Sequence, residues 1–331
     1  MDQHLINRAF DQFKHLKAIV IGDVMIDSYY WGKTDRISPE APVPVVSVQK
    51  KENRLGGAAN VARNIKALDA EVFLCTVIGD DEGGNTFESL MKDENMPVDG
   101  LIKDEKRPTT IKTRVISHHQ QMLRIDEETV SPIDRKINKK LIDRIQSIID
   151  REDIDVVIFE DYDKGLITPN LIKQVITFCR EHGVLVTVDP KKKNFKAYKH
   201  ATLFKPNLKE LREGLKIELP EVNKDSLDKA IALLNEKIEV DQALITLSER
   251  GVYINTAQGS KIIPAHIRNI ADVSGAGDTV IAVASLCLAL GMEPEFTAQL
   301  ANLAGGLVCE QIGVVPINKN LLEDEALRLS K

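Results

Sequence analysis

Short, almost continuously apolar runs punctuate this chain: AIVIGD (18–23), VFLCTVIGD (72–80), DVVIFED (155–161), VLVTVD (184–189), ATLFKPN (201–207) and QALITLS (242–248). Between most of them lie segments with apolar residues at i, i+3 and i+4, such as INKKLIDRIQSIID. A strand that is apolar at nearly every position is covered on both faces, and helices joining such strands make the sheet parallel. The expected fold is therefore α/β: a doubly wound, mainly parallel sheet flanked by helices. Asp or Asn closes several of the runs, at Asp23, Asp80, Asp161, Asp189 and Asn207. Ligands of open α/β sheets sit beyond the carboxyl ends of the strands, so these residues outline a cleft.

Two segments depart from that rhythm. PVPVVSVQ (42–49) alternates and carries prolines, which suits an edge strand. TIKTRVISHHQQMLRID (110–126) is long and strand-like, without helical period. Together they predict a small β-sheet lid over the cleft, drawn from about 28–50 and 108–126, whose free edges can pair with a second copy of the chain. His118 and His119, as neighbours on a strand, would face opposite sides and not share a metal. The body, 11–330, reads as a single domain, with 1–10 as an N-terminal extension.

Bulk chemistry removes several function classes. With a net charge of −6 and no basic arm beyond Lys191–Lys193, neither nucleic acid nor a membrane surface is an expected partner. The longest apolar run, Val280 to Leu290, is too short to span a bilayer. The opening MDQHLINRAFDQF lacks the basic start and continuous apolar core of a signal peptide. Cys75, Cys179, Cys287 and Cys309 are widely spaced, with no Cys-x-x-Cys, and read as buried thiols of a reducing compartment. A cytoplasmic protein is expected.

The richest stretch is ADVSGAGDTVIAVASLCLALG (271–291). Val280 occupies the third glycine position of a dinucleotide fingerprint, and no G-x-x-x-x-G-K-[ST] loop occurs in the chain. What remains is a Gly-Ala-Gly turn opening an apolar helix closed by Gly291 and Pro294. First-turn amides of Gly275, Ala276, Gly277 and Asp278 lack helical acceptors and, with the helix dipole, make an anion site. Asp278 at its edge suits proton abstraction from a hydroxyl. An ordinary cap before a buried helix is the alternative.

Asp272-Val-Ser-Gly-Ala-Gly-Asp278 resembles the D-T-x-G-A-G-D signature of ribokinase-like (PfkB-type) carbohydrate kinases. Gly56-Gly57-Ala58-Ala59-Asn60 resembles the glycine pair and asparagine of that family's N-terminal signature. The likeness runs from about Lys17 to Val315. Within the family, RISPEAPVPVV (36–46), RLGGAANVARNI (54–65), KTRVISHHQQMLRID (112–126), EDYDKG (160–165), VDPK (188–191) and KPNLKE (205–210) are most similar to D-glycero-β-D-manno-heptose 7-phosphate kinases. The resemblance implies a ribokinase-like fold and ATP-dependent phosphorylation of the anomeric hydroxyl, a step towards ADP-heptose and lipopolysaccharide core. It implies ATP and Mg2+ as cofactors, with K+ as a further candidate. No H-x-G-H motif follows, so a stand-alone kinase is expected, served downstream by a separate nucleotidyltransferase. Another sugar or sugar-phosphate kinase of the same fold, or a non-catalytic sugar or nucleotide sensor, are the alternatives.

Residue by residue, the resemblance makes Asp278 the base and Gly275, Ala276 and Gly277 the anion hole. Asp23, Asp27, Gly56, Gly57 and Asn60 would hold the sugar, with an Asx-turn as the other reading of Asp23. The substrate phosphate needs cations: Arg124 and Lys191 are the leading candidates, and Arg36, Arg114, Lys192 and Lys193 also qualify. Asn207-Leu208-Lys209-Glu210 has the spacing of a capping box. The resemblance gives Asn207 and Glu210 a second role, organising Mg2+ through water beside the nucleotide phosphates. Thr246, Ser248 and Gly251 would form a nucleotide loop, and Asn302 would pack near adenine or simply line a core helix.

Overall fold

The computed structural model describes residues 1–118, 120–266 and 268–330. The chain opens with helix α1 (Gln3–Gln12) and strand β1 (Lys17–Gly22). Two long strands, β2 (Val24–Ile37) and β3 (Pro44–Gly57), precede helix α2 (Ala58–Ala67), strand β4 (Glu71–Gly79), helix α3 (Glu82–Asp93) and strand β5 (Leu101–Asp104). A hairpin follows, β6 (Ile111–Ser117) and β7 (Gln120–Glu127). Then come α4 (Arg135–Arg151), β8 (Val156–Glu160), α5 (Pro169–Glu181), β9 (Leu185–Asp189), β10 (Leu203–Phe204), α6 (Leu208–Leu215), α7 (Lys224–Ile238) and β11 (Gln242–Thr246). An antiparallel pair, β12 (Val252–Thr256) and β13 (Gly259–Ile263), leads to α8 (Ala276–Ala289), α9 (Pro294–Val308) and α10 (Lys319–Arg328).

The central sheet has the order β13-β12-β11-β10-β9-β8-β1-β4-β5. It is parallel from β5 to β11 and antiparallel only at the β12–β13 edge. Alternation along β1 shows the double covering. Ala18 and Val20 enter a core shared with α1, α2, α8 and α9, whereas Ile19 and Ile21 enter the one under α4, α5 and α7. From β1 the chain steps outward through β4 and β5, then returns to begin the other half at β8. The order of connection therefore reverses between β1 and β8, where a cleft opens beyond the strand ends. Gly22, Glu160 and Asp189 stand in register across that point.

The lid is a separate four-stranded sheet of order β3-β2-β6-β7. It is larger than the sequence implies, because β2 begins at Val24 and β3 runs on to Gly57, directly into α2. The segment 110–126 is a hairpin rather than one strand, turning at His118, whose φ is +48°. The expected His118/His119 strand pair thus fails at His118, and His119 lies outside the described residues. The run 201–207 forms a strand over Leu203–Phe204, with one further isolated bridge from Asn207 to Thr246. Pro206 has no N–H to extend the ladder, although its carbonyl accepts from Thr246 N at 3.2 Å. Among the described residues no helix is long and apolar enough to cross a membrane. All four cysteines are free, and Cys75, Cys179 and Cys287 are buried.

The first ten residues do not hang free. Asp2 caps α1 through the amides of His4 and Leu5, and Ile6, Ala9 and Phe10 are buried against the core. Phe10 also meets Phe13 edge to face at 5.6 Å. Phe10→Ala should lower unfolding stability by about 3 kcal/mol, seen as a drop in the urea midpoint at unchanged slope.

Candidate active site

Helix α8 is apolar around most of its circumference and buried from Asp278 to Cys287. Such a helix belongs in the core, so a carboxylate in its first turn is taken out of water with it. Gly275, at φ +81°, ends the approach loop and caps the helix. A side chain at Gly275 would put its Cβ 2.8 Å from Asn60 Nδ2, and only glycine permits that approach. Of the four amides expected to be open, that of Ala276 turns back to Val273 O at 3.3 Å. Gly275, Gly277 and Asp278 supply the donors the helix start offers.

The Asp278 carboxylate is 6% exposed. Asn60 Nδ2 donates to Oδ2 at 2.8 Å, and Tyr162 OH donates to Oδ1 at 2.9 Å. Burial raises its pKa to about 6, opposed by those two hydrogen bonds. Asn60 comes from α2, whose fit against α8 is fixed one turn on. There Thr279 Oγ1 donates to Asn64 Oδ1 at 3.0 Å, and Asn64 Nδ2 donates back to the Asn60 carbonyl at 2.8 Å. Asn60 Oδ1 is buried without a partner among the described residues.

Behind the helix start lies a layer of buried charge. Lys205 and Asp189 pair at 2.7 Å, almost entirely out of water, and both would lie 3.7 Å from a Cβ on Gly277. Glu160 is fully buried, and burial together with Asp189 and Asp278 pushes its pKa well up. Glu160 Oε2 and Asp189 Oδ1 have no hydrogen-bond partner among the described residues. Lys191 bonds Glu210 and stands 5.6 Å over the Tyr162 ring. Burial acts to lower its pKa, but Asp189 and Glu210 outweigh it and hold Lys191 protonated.

Open backbone amides at a helix start, a buried carboxylate able to ionise near neutrality and an adjoining small sheet are parts a phosphoryl transfer to a hydroxyl can use. The profile of the pfkB family carbohydrate kinases matches residues 16–320. The chain belongs to the PfkB family of carbohydrate kinases. It is 42% identical over 298 residues to a bifunctional protein HldE of Helicobacter pylori (strain G27), and 42% over 300 residues to that of Helicobacter hepaticus. Those matches take in 90% and 91% of this chain but 63% and 61% of the relatives, so the chain spans under two thirds of their length. In fold it is similar to Escherichia coli phosphofructokinase-2 in complex with potassium, with a TM-score of 0.77 at 19% identity, covering 96% of this chain and 99% of the other. A putative ribokinase from Agrobacterium tumefaciens gives 0.71 at 16% identity, covering 95% and 98%.

Within this PfkB kinase the expected site residues do not all gather. Asp23, read as a sugar ligand, is a structural clasp. Its two oxygens accept from the amides of Tyr162 (3.2 Å), Lys164 (3.1 Å) and Leu166 (3.0 Å), closing the β8 loop onto the end of β1. Asp161 is likewise engaged, by Asn194 and Tyr198, and Asp80 is exposed. Asp27 does line the lid seam: Arg114 Nη1 bonds its Oδ1 at 2.5 Å, and its Oδ2 lies where a Cβ on Gly56 would be. Gly57, at φ +63°, carries β3 into α2.

Arg124 does not join this group. It is half-exposed on the outer strand β7 and pairs with Asp126 at 2.9 Å. Arg114 and Arg54 stack instead on the buried Tyr29, at 5.4 and 4.9 Å. Lys191 bonds Glu210. Arg36 lies far out on β2 and is exposed, and Lys192 and Lys193 are exposed.

Asn207 and Glu210 form the full capping box of α6, each bond 2.8 Å, with Leu208 partly exposed and Lys209 exposed within it. Among the described residues no group of three or more His, Cys, Asp or Glu can cage a metal. Mg2+ is ordinarily held by one or two carboxylates, waters and substrate phosphates, so Glu210 with spare lone pairs fits a cation that arrives with the nucleotide. Thr246 pairs beside Asn207, Ser248 is exposed, and Gly251 (φ +93°) abuts Ile263 O. Asn302 Nδ2 donates to Pro264 O at 2.9 Å, tying α9 to the same corner. Asp272 bridges two loops, accepting from Ser274 N and Gly313 N at 3.0 Å each.

Tyr162, Lys205 and Glu160 escaped the sequence reading. Their one signal was position: each sits at or just past a strand end, inside the EDYDKG and KPNLKE segments.

Asp23→Ala leaves three backbone N–H groups without acceptors and should cost about 3 kcal/mol or more in chemical denaturation. Asp278 has the opposite sign. Its folded pKa is raised from 3.8 to about 6, so its contribution is complete below pH 3.8 and is lost as the pH rises through about 6. Asp278→Asn should therefore match wild type near pH 4 and exceed it at pH 7 by up to about 3 kcal/mol. The new side chain can keep the Asn60 Nδ2 bond on its carbonyl oxygen and donate from its amide to the Tyr162 hydroxyl oxygen.

Proposed function

We propose that this kinase transfers the γ-phosphoryl group of ATP to the anomeric hydroxyl of D-glycero-D-manno-heptose 7-phosphate, giving the 1,7-bisphosphate in the supply of ADP-heptose for lipopolysaccharide core. The observation that carries the chemistry is the Asp278 carboxylate, buried at the start of α8 beside glycine amides. The choice of sugar rests on the resemblance of residues 36–46 and 112–126 to heptose kinases, together with the HldE relatives.

In this reading the sugar lies between the lid and α8. Asp27 accepts its hydroxyls, and the Gly56–Gly57 backbone lets the ring come close. The anomeric hydroxyl donates to Asp278, which takes the proton as the oxygen bonds to the γ-phosphorus and the bond to the β-phosphate oxygen breaks. The amides of Gly275, Gly277 and Asp278 receive the charge on the transferred group. Asn207 and Glu210 would hold Mg2+ through water, and the ion would supply neutralisation of the phosphate charge. Thr246, Ser248, Gly251 and Asn302 border the nucleoside. Arg114 and Arg54 are the cations that the lid turns towards the 7-phosphate, with the Tyr29 ring holding both guanidinium planes.

A second copy pairs through the lid. Supporting this are Leu123 and Ile125, 56% and 47% exposed on the free edge strand β7. Light scattering that finds only monomer at micromolar concentration removes that part. In this reading the kinase works in the cytoplasm, where ATP is, and its product goes on to a nucleotidyl transfer.

A coupled ADP assay over a sugar panel tests the whole. The expected result is turnover of heptose 7-phosphate, with fructose phosphates, tagatose 6-phosphate and ribose at least 100-fold poorer in kcat/KM, and dependence on Mg2+ probed with and without K+. Asp278→Asn should lower kcat by about 1,000-fold or more while ATP binding persists. Turnover of fructose phosphates alone overturns the sugar, and binding of both ligands without ADP formation makes the protein a sensor.

A further inference from the structure

Tyr162 lies two residues past the end of β8, in a loop whose backbone is pinned by Asp23. Its hydroxyl donates to Asp278 Oδ1 at 2.9 Å, and its ring is capped by the Lys191 ammonium at 5.6 Å. Lys191 is itself fixed by Glu210, which the α6 capping box immobilises. The phenol therefore has neither a free backbone nor a free ring. It is a donor aimed at one oxygen of the carboxylate, and Asn60 serves the other.

We propose that Tyr162 is a positioning residue for the reaction, holding the Asp278 carboxylate in its ionised, hydroxyl-accepting orientation. The proposal rests on the reading of Asp278 as the base. A buried carboxylate loses its charge unless donors replace the lost water, and it can rotate about χ2 unless both oxygens are held. Asn60 alone satisfies one oxygen. Tyr162 supplies the second bond from an element on the other side of the cleft, so the plane of the carboxylate is defined by α2 and the β8 loop together. Each oxygen keeps a further lone pair, so a substrate hydroxyl can be accepted without displacing either donor.

The remaining groups facing Asp278 do not duplicate this bond. Glu160 on β8 and Asp189 at the end of β9 act against its charge, and Lys205 favours it. Lys191 engages Glu210. From α9, Gly305 meets α8 at Val280. Tyr162 and Asn60 are the two direct donors among the described residues.

The test is a carbon-13 titration of aspartate carboxyls in the full chain, with Asp278→Asn identifying the resonance. Tyr162→Phe should raise the apparent pKa of Asp278 by about 1 unit. Incorporating 3-fluorotyrosine at 162, a stronger donor of nearly the same shape, should lower it. In turnover assays Tyr162→Phe should reduce kcat by about 10–100-fold, shift the acid limb of the pH profile upward by the same unit, and leave KM for ATP within about 2-fold. An Asp278 resonance that titrates identically in all three proteins overturns the proposal, as does a loss of activity with no movement of the acid limb. The titration needs no turnover. Absence of phosphoryl transfer in wild type would therefore count against the kinase assignment of the site, while the carboxyl shift still decides the role of Tyr162.

Discussion

A carboxylate kept charged where there is almost no water is the constraint around which this structure is organised. Burying Asp278 in the first turn of α8 favours the neutral acid; the helix start and two hydrogen bonds favour the anion. Those donors come from α2 and from the loop after β8, elements on different sides of the cleft. Satisfying one side chain thus fixes the relation of three parts of the fold. Gly275 follows from it, because any larger residue would push Asn60 away. The polar rung between Asn64 and Thr279 follows too, since it stops α2 and α8 sliding past one another.

The charge beneath the helix start has a related logic. Glu160, Asp189 and Asp278 converge where strands end in register, and Lys205 offsets part of that negative charge from within the protein. Replacing any of them by an apolar residue would simplify packing. Held in a dry layer, they keep a polar, fixed arrangement of charge under the start of α8.

Much of this was legible from sequence for local reasons. Apolar runs announce buried strands, and a glycine turn before an apolar helix announces an open helix start; both depend only on neighbours in the chain. What was not legible depends on distant partners. Asp23 looks like a ligand because it follows a strand, yet its three amide donors lie some 140 residues later. Arg114 and Arg124 occupy facing positions of one hairpin, and only the packing of Asp27 and Tyr29 distinguishes them. The β6–β7 turn lacks the Asn-Gly or Asp-Gly pair that would have revealed it, so the hairpin read as one strand. Lys205 is a charged residue inside an apolar run, and its buried partner comes from the adjacent strand.

Strands β2 and β3 run unbroken from the floor of the cleft to the tip of the lid, with Gly57 passing straight into α2. Cover and floor are consequently the same two ribbons, with register shifts at Trp31/Gly32 and Thr34/Arg36 along the way. No slack linker separates the lid from the helix whose Asn60 bonds Asp278, so the two are covalently one continuous piece of backbone.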